Sequence, residues 1–292
     1  MTFHYHAVSR GTQYSPNHIG NDALIFQLVK EKLEAKGHTV SVWDEDSFSC
    51  KSADSPFIYS MIRGSSSLKI LQELEAAGAL VINPTQGVLN CYRANLAQLL
   101  PAAAIPMPLT LVVDTVNPPE ISPFGENPFR LWIKRGDVHA IHREDITLTF
   151  SLRELREVIM EYNRRGIQKA VIQKDTEGPV LKFYAVRGSG FFHWYFHEPG
   201  TQRKFDVAKL KAIAQQCAEV LNVDIYGGDA VIGQNGEISI IDLNDWPSFA
   251  PVREEASVHI AELIEKKSIL FATQNLLKTY GEKPILITSK HT

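Results

Sequence analysis

Residues 226–249 read YGGDAVIGQNGEISIIDLNDWPSF. Two apolar runs flank Asn235-Gly236, a dipeptide that turns one strand back onto the next. Such a hairpin brings Asp229 close to Asp242. Side chains alternate faces along a strand, so Asp242 and Asn244 point the same way. Three hard oxygen donors, two of them anionic, then converge on one face. That set suits Mg²⁺, which takes a few carboxylates and completes its shell with water and phosphate oxygens. A site built only from oxygen points to phosphate chemistry rather than to zinc or redox chemistry. The competing reading is turn chemistry, because Asp and Asn are common beside turns. Asp242, however, follows Ile238-Ser239-Ile240-Ile241 and ends a strand, where a buried carboxylate without a partner is costly.

Outward from this hairpin the chain divides into three blocks, expected as subdomains over 1–108, 109–178 and 179–292. In the first, residues 3–9, 39–43, 57–62 and 79–82 read as strands. Residues 21–36 and 67–77 read as helices, stopped by Gly37 and Gly78. Strands alternating with helices imply an open α/β unit with a mainly parallel sheet, which places ligands at the carboxyl ends of its strands. Arg63-Gly64 lies at one such end. Residues 92–100 form a short helix, and Pro101, Pro106 and Pro108 mark a border.

Residues 111–130, with Pro118, Pro119, Pro123 and Pro128, are expected to be irregular. In the second block, a strand over 130–134 ends in Lys134, and another follows at 146–150. Ser151 opens a helix through Asn163, with Glu154 placed for a capping box, and residues 169–173 form a strand. The third block opens with alternating strands at 180–186 and 191–196 about the turn Gly188-Ser189-Gly190. An amphipathic helix over 206–221 precedes the Asp229/Asp242 hairpin. A closing helix spans 254–274, and a loose tail ends the chain.

With 292 residues, 44% hydrophobic and 22% charged, the chain has the profile of a soluble globular protein. A net charge of −3 gives no basic footprint for nucleic acid. No apolar run is long enough to span a bilayer, and the N-terminus lacks the charged and apolar regions of a signal peptide. Cys50, Cys91 and Cys217 are too dispersed for a zinc motif or a disulfide framework, so reduced thiols in a cytoplasmic protein are expected. His193 and His197 on a strand, and His139 and His142 in a loop, lack a cysteine partner and read as surface or pocket histidines.

The order of these blocks resembles the ATP-grasp superfamily, and within it the ribosomal-protein-modifying glutamate ligases of the RimK type. Residues 61–84 (MIRGSSSLKILQELEAAGALVINP), 102–110 (AAAIPMPLT), 170–188 (AVIQKDTEGPVLKFYAVRG) and 226–249 carry the likeness. The resemblance implies an ATP-grasp fold: an N-terminal α/β subdomain, a small central lid, and a C-terminal subdomain with an antiparallel sheet. It implies ATP- and Mg²⁺-dependent joining of a carboxylate to an amine, or to a thiol, through an acylphosphate, with Mn²⁺ able to substitute for Mg²⁺. The substrates are then small molecules or peptides, with no nucleic acid and no membrane, and a homo-oligomer is left open.

By the same resemblance, Asp229, Asp242 and Asn244 hold the metal, and Lys134 pairs with an α- or β-phosphate. Gln173 and Lys174 line the adenine edge. Lys182 faces the phosphates or the acylphosphate, against the competing reading of an ordinary solvent-facing lysine. Arg93 takes the basic role that precedes the linker. Arg63 is a candidate for a substrate carboxylate, because its planar fork suits bidentate pairing; a local cap or pair is the competing reading. The chain departs from the pattern at several positions: Tyr92-Arg93 stands where the family commonly has Asp-Lys or Asp-Arg, and Lys174 where glutamate is common. A single glycine stands in 135–142, where the family has a Gly-rich loop. Asp242 replaces the usual Glu, and Asp245-Trp246-Pro247-Ser248-Phe249 replaces a small Pro-Gly turn. Inositol-phosphate kinases share the fold and resemble residues 172–186, so a kinase, or a nucleotide-binding protein without turnover, is the alternative.

Overall fold

Buried residues run through the middle of β1 (His4–Ser9). It pairs in parallel with β2 (Thr39–Asp44) on one side and β3 (Phe57–Ser60) on the other, and β4 (Leu80–Ile82) extends the sheet from β3. Parallel strands need crossover segments, and α1 (Ile19–Ala35) and α2 (Ser65–Ala76) provide two of them. The computed structural model describes residues 1–16, 19–49, 54–117, 119–125, 130–137 and 141–280. Cys50, His139, Pro118, Pro128 and the expected tail therefore lie outside the described residues.

Two short helices follow the first sheet. The sequence signals only the second, α4 (Arg93–Ala102); the first, α3 (Thr85–Asn90), spans 6 residues, too few to show a period. The second sheet is antiparallel, in the order β5-β8-β6-β7. It comprises β5 (Thr110–Asp114), β6 (Leu131–Arg135), β7 (Ile146–Thr149) and β8 (Lys169–Lys174), backed by α5 (Leu152–Arg164). The expectation of an irregular stretch from 111 is corrected here. Thr110 through Asp114 pair with β8, because Leu111-Val112-Val113 favours a strand and the prolines begin only beyond it. At α5 the Ser151 side chain accepts from the Glu154 N–H at 3.2 Å. Glu154 reaches back to the N–H of Phe150, at 2.8 Å, one residue before the expected capping-box partner.

The third sheet runs β10-β9-β11-β12 and is also antiparallel. Its strands are β9 (Val180–Val186), β10 (Phe192–Phe196), β11 (Ile225–Ile232) and β12 (Ile238–Asp245). The helix α6 (Val207–Leu221) packs Leu210, Ile213 and Leu221 against Ile240 and Leu243 of this sheet and Leu96 and Leu100 of α4. The last helix, α7 (Arg253–Tyr280), joins Ile260 and Ile264 to Tyr5, Val29, Leu33 and Tyr59 in one core with Trp246 and Phe249. The end of β12 is thus clamped between the first sheet and the last helix. Among the described residues no helix is long and apolar enough to cross a membrane.

Candidate active site

The pairing registers set four side chains in a row across the third sheet. Tyr195 of β10 lies opposite Lys182 of β9, Lys182 opposite Asp229 of β11, and Asp229 opposite Asp242 of β12. Directly opposed residues share a face. The next row on that face is His193, Tyr184, Gly227 and Asn244. The three predicted oxygen donors therefore do lie together, with Lys182 beside them.

The register slips between Asp229 and Ala230, so Ile241 is the extra residue of a bulge. A bulge re-aims local groups, and the carbonyl of Ile241 accepts from Lys134 Nζ at 2.9 Å. Gly228 keeps the hairpin close. A Cβ there would stand 2.5 Å from Phe183 Cζ and 2.8 Å from the Asp242 carbonyl oxygen.

Two carboxylates opposite one another repel unless cations intervene. Lys182 Nζ lies 2.9 Å from Asp229 Oδ1. Burial depresses the Lys182 amine, but the charge and hydrogen bond of Asp229 outweigh it and leave its pKa raised. Arg93 donates to Asp242 Oδ2 through Nε at 3.2 Å and Nη2 at 2.7 Å, while the Leu243 N–H approaches Oδ1 at 3.1 Å. Among the described residues, Arg93 Nη1 is buried without a hydrogen-bond acceptor. A buried guanidinium N–H left in that state is costly, and an oxygen of an anionic ligand fits it.

Lys134 is buried and donates to Gln173 Oε1 at 2.8 Å as well as to Ile241. Its pKa is lowered to about 8, chiefly by burial; Asp242 opposes the shift, Arg93 adds to it, and Asp229 opposes it weakly. The donor set of Asp229, Asp242 and Asn244 is all hard oxygen and fits Mg²⁺. The cations Lys134, Lys182 and Arg93 fit the phosphates of a nucleotide on the same face.

No protein-family model matches the sequence, and no curated protein matches it. Solved structures do match in shape. The D-alanine–D-alanine ligase from Coxiella burnetii superposes with a TM-score of 0.72 at 15% identity, over 95% of this chain and 99% of that one. The same enzyme from Bacillus anthracis, complexed with ATP, gives 0.68 at 13% identity over 93% and 99%. A RimK-domain ATP-grasp protein from Sphaerobacter thermophilus gives 0.66 at 19% identity over 89% and 99%. This chain has the ATP-grasp fold.

Within the ATP-grasp frame several expected residues have other neighbours than the sequence suggests. Gln173 is buried, holding Lys134 with its carbonyl and donating to Thr110 Oγ1 at 3.1 Å. Its side-chain carbonyl thus holds the lysine in place. Lys174 is exposed at the end of β8, its N–H bonded to the Leu109 carbonyl at 2.8 Å. Arg63 is buried and turned toward β12. It donates to the Asp245 carbonyl at 3.2 Å and stands 3.7 Å from the Asp245 carboxylate. Burial lowers its pKa to about 10.

Sequence reasoning missed two anchors of this region. Arg10 donates to Asp22 Oδ2 at 2.8 Å, to the Met61 carbonyl at 3.2 Å and to the Trp246 carbonyl at 2.9 Å. Its place just past the end of β1, where open α/β sheets meet ligands, was the available signal. Glu45 is buried and accepts the N–H groups of Gly11 at 2.7 Å, Gly64 at 2.6 Å and Arg63 at 3.2 Å. It ties the loop after β1 to the start of α2, a long-range link with no sequence signature.

One other group of potential ligands converges among the described residues: His4, His6 and Asp54, with ligand atoms within 4.8 Å. Trp43 Nε1 donates to His6 Nδ1 at 3.0 Å. An indole can only donate, so the neutral His6 ring carries its proton on Nε2, facing Asp54 Oδ1 at 2.8 Å. The Asp54 N–H, 3.2 Å from the same nitrogen, is the longer contact. A metal on Nε2 would need the proton on Nδ1, against the indole N–H. The group reads as a hydrogen-bonded clasp.

Proposed function

We propose that this chain is an ATP- and Mg²⁺-dependent ligase that joins a carboxylate to an amine through an acylphosphate, releasing ADP and phosphate, as RimK-type enzymes do. The observation that carries the reading is the charged row Lys182, Asp229 and Asp242, flanked by Lys134 and Arg93, on one face of the third sheet. Neighbours of the same fold are ligases, and one of them is an ATP complex.

In this reading Asp229, Asp242 and Asn244 hold Mg²⁺, which when bound neutralises phosphate charge. Lys134 and Arg93 bind phosphate oxygens. Lys134 is held in place by Gln173, and Arg93 offers the Nη1 hydrogens that have no acceptor among the described residues. Lys182 orients Asp229 and meets the transferred phosphoryl group as a point charge. The end of β8 around Lys174 borders the adenine. Arg63 acts as a positioning residue through Asp245. The metal can be Mn²⁺ as well, the substrates are small molecules or peptides, and the enzyme works in the cytoplasm.

The test is phosphate release from ATP with Mg²⁺ across a panel of carboxylates and amines. A carboxylate–amine pair that releases one phosphate per amide formed supports the reading. Phosphoryl transfer to a hydroxyl without free phosphate would make the protein a kinase. ATP binding without any turnover would leave a nucleotide-binding protein.

A further inference from the structure

A cavity of about 210 Å³ opens at the carboxyl ends of β1 and β2, against the first turns of α1. It lies outside the charged row. Ile19, Ala23, Phe26 and Met61 make its apolar walls, and Arg10, Asp22 and Asp44 are its charged residues. Arg10 joins this pocket to the candidate active site, because its Nη2 grips the Trp246 carbonyl, two residues past Asn244.

The charges decide what the pocket can hold. The guanidinium of Arg10 is directed by all three of its nitrogens onto protein acceptors, Asp22 among them, and its side chain is 4% exposed. It is not presented to a ligand carboxylate. Asp22 lies in the first turn of α1 and already supplies negative charge to the positive end of that helix. Asp44 is exposed and joins no ion pair among the described residues; its one side-chain contact there is the Ser9 hydroxyl, at 3.2 Å. Among the described residues the lining therefore keeps one negative charge, that of Asp44, without a counter-ion at the rim of an apolar pocket.

We propose that this pocket binds the amine-bearing substrate through a primary ammonium group other than its reacting nitrogen, that ammonium meeting Asp44 and an aliphatic body lying against Ile19, Phe26 and Met61. The assignment of that ligand as the acceptor rests on the ligase reading; its binding does not. A small apolar body fills a concave site of this size, and a few polar groups fix its orientation. Neutralising Asp44 removes the charge partner but leaves the walls intact, whereas a larger side chain at exposed Ala23 fills the space and leaves the charges alone.

The experiment is calorimetric titration of the full chain, without nucleotide, with butylamine and with butyrate. Butylamine is expected to saturate, with butyrate at least tenfold weaker. Asp44→Asn should weaken butylamine at least fivefold, and Ala23→Phe should abolish its binding with the melting temperature retained. Butyrate binding as tightly as butylamine, an Asp44→Asn variant of unchanged affinity, or no saturation by butylamine at 50 mM would each overturn the proposal. A parallel titration with a non-hydrolysable ATP analogue separates the two readings. Amine binding without nucleotide binding removes the ligase and keeps the pocket; nucleotide binding without amine binding does the reverse.

Discussion

Arg93 of α4 holds Asp242 of β12 through two nitrogens on a single carboxylate oxygen, Oδ2, at 2.7 and 3.2 Å. The residues are 149 positions apart and both are buried. The carboxylate expected to take a metal is therefore already matched to a cation delivered from the linker side.

Removing one partner of this pair leaves the other buried without its counter-charge, at a cost of about 3–5 kcal/mol. Asp242→Ala should lose stability on that order in urea unfolding, and Arg93→Met with Asp242→Leu should recover most of it. In the same Asp242→Ala protein, the Mg²⁺-dependent part of the thermal shift with an ATP analogue should vanish. A shift that keeps its Mg²⁺ dependence would take Asp242 out of the metal site.

Lys134 is held in the fold at a pKa of about 8, below the ordinary 10.5, chiefly by burial. Below pH 8 both folded and unfolded chains carry the charge and the full penalty applies. Between about 8 and 10.5 the unfolded chain binds more protons, so stability rises with pH, by up to ~3 kcal/mol. The rise should be present in wild type and missing in Lys134→Met. Affinity for an ATP analogue should weaken above pH 8 in wild type and stay flat in the variant; parallel curves would place Lys134 away from the phosphates.

Asp145 is fully buried. Burial by itself would raise its carboxyl, but the N–H groups of His142 and Ile141, with Arg165 and Arg135, outweigh it and hold the pKa at about 2. Its contribution is present above the unfolded value and is lost as pH falls through the range from about 4 to 2, on the order of 2 kcal/mol. Asp145→Asn should unfold at lower urea than wild type at pH 7, and the gap should narrow at pH 2. A gap independent of pH would show that packing, not charge, is what the carboxylate supplies.

Gly228→Ala adds a methyl group where Phe183 and the Asp242 backbone leave no room. Overpacking of this kind costs about 1–3 kcal/mol, and the shift it forces falls on Asp242. Nucleotide-analogue affinity in Mg²⁺ should drop more than affinity in its absence. Equal losses would separate the hairpin spacing from the metal.

Much of this architecture is local and was legible. The apolar alternation on either side of Asn235-Gly236 places Asp229 opposite Asp242, and helical periods mark α1, α5 and α6. What escaped is set by partners far along the chain. Gln173 reads as a strand residue near a hinge, yet its side chain is turned by Lys134, 39 positions away. Arg63 reads as a strand-end cation facing a ligand, yet it is drawn to Asp245, 182 positions on. Glu45 reads as one of three acids in a turn, and nothing local tells it from Asp44 and Asp46. Prolines beyond 114 hid β5, because the run of strand formers before them is only a few residues long.

The hydroxyl of Tyr5 donates to Ser268 Oγ at 3.2 Å, across 263 positions, where α7 closes over the first sheet. During synthesis the first block leaves the ribosome long before its cover exists. At ordinary elongation rates the interval is on the order of ten to fifty seconds. Over that time the apolar face of β1, β3 and α1 stays open to solvent and to other nascent chains. A chain cut short before α7 would keep that face exposed permanently, which makes the last helix the element whose arrival ends the window for aggregation.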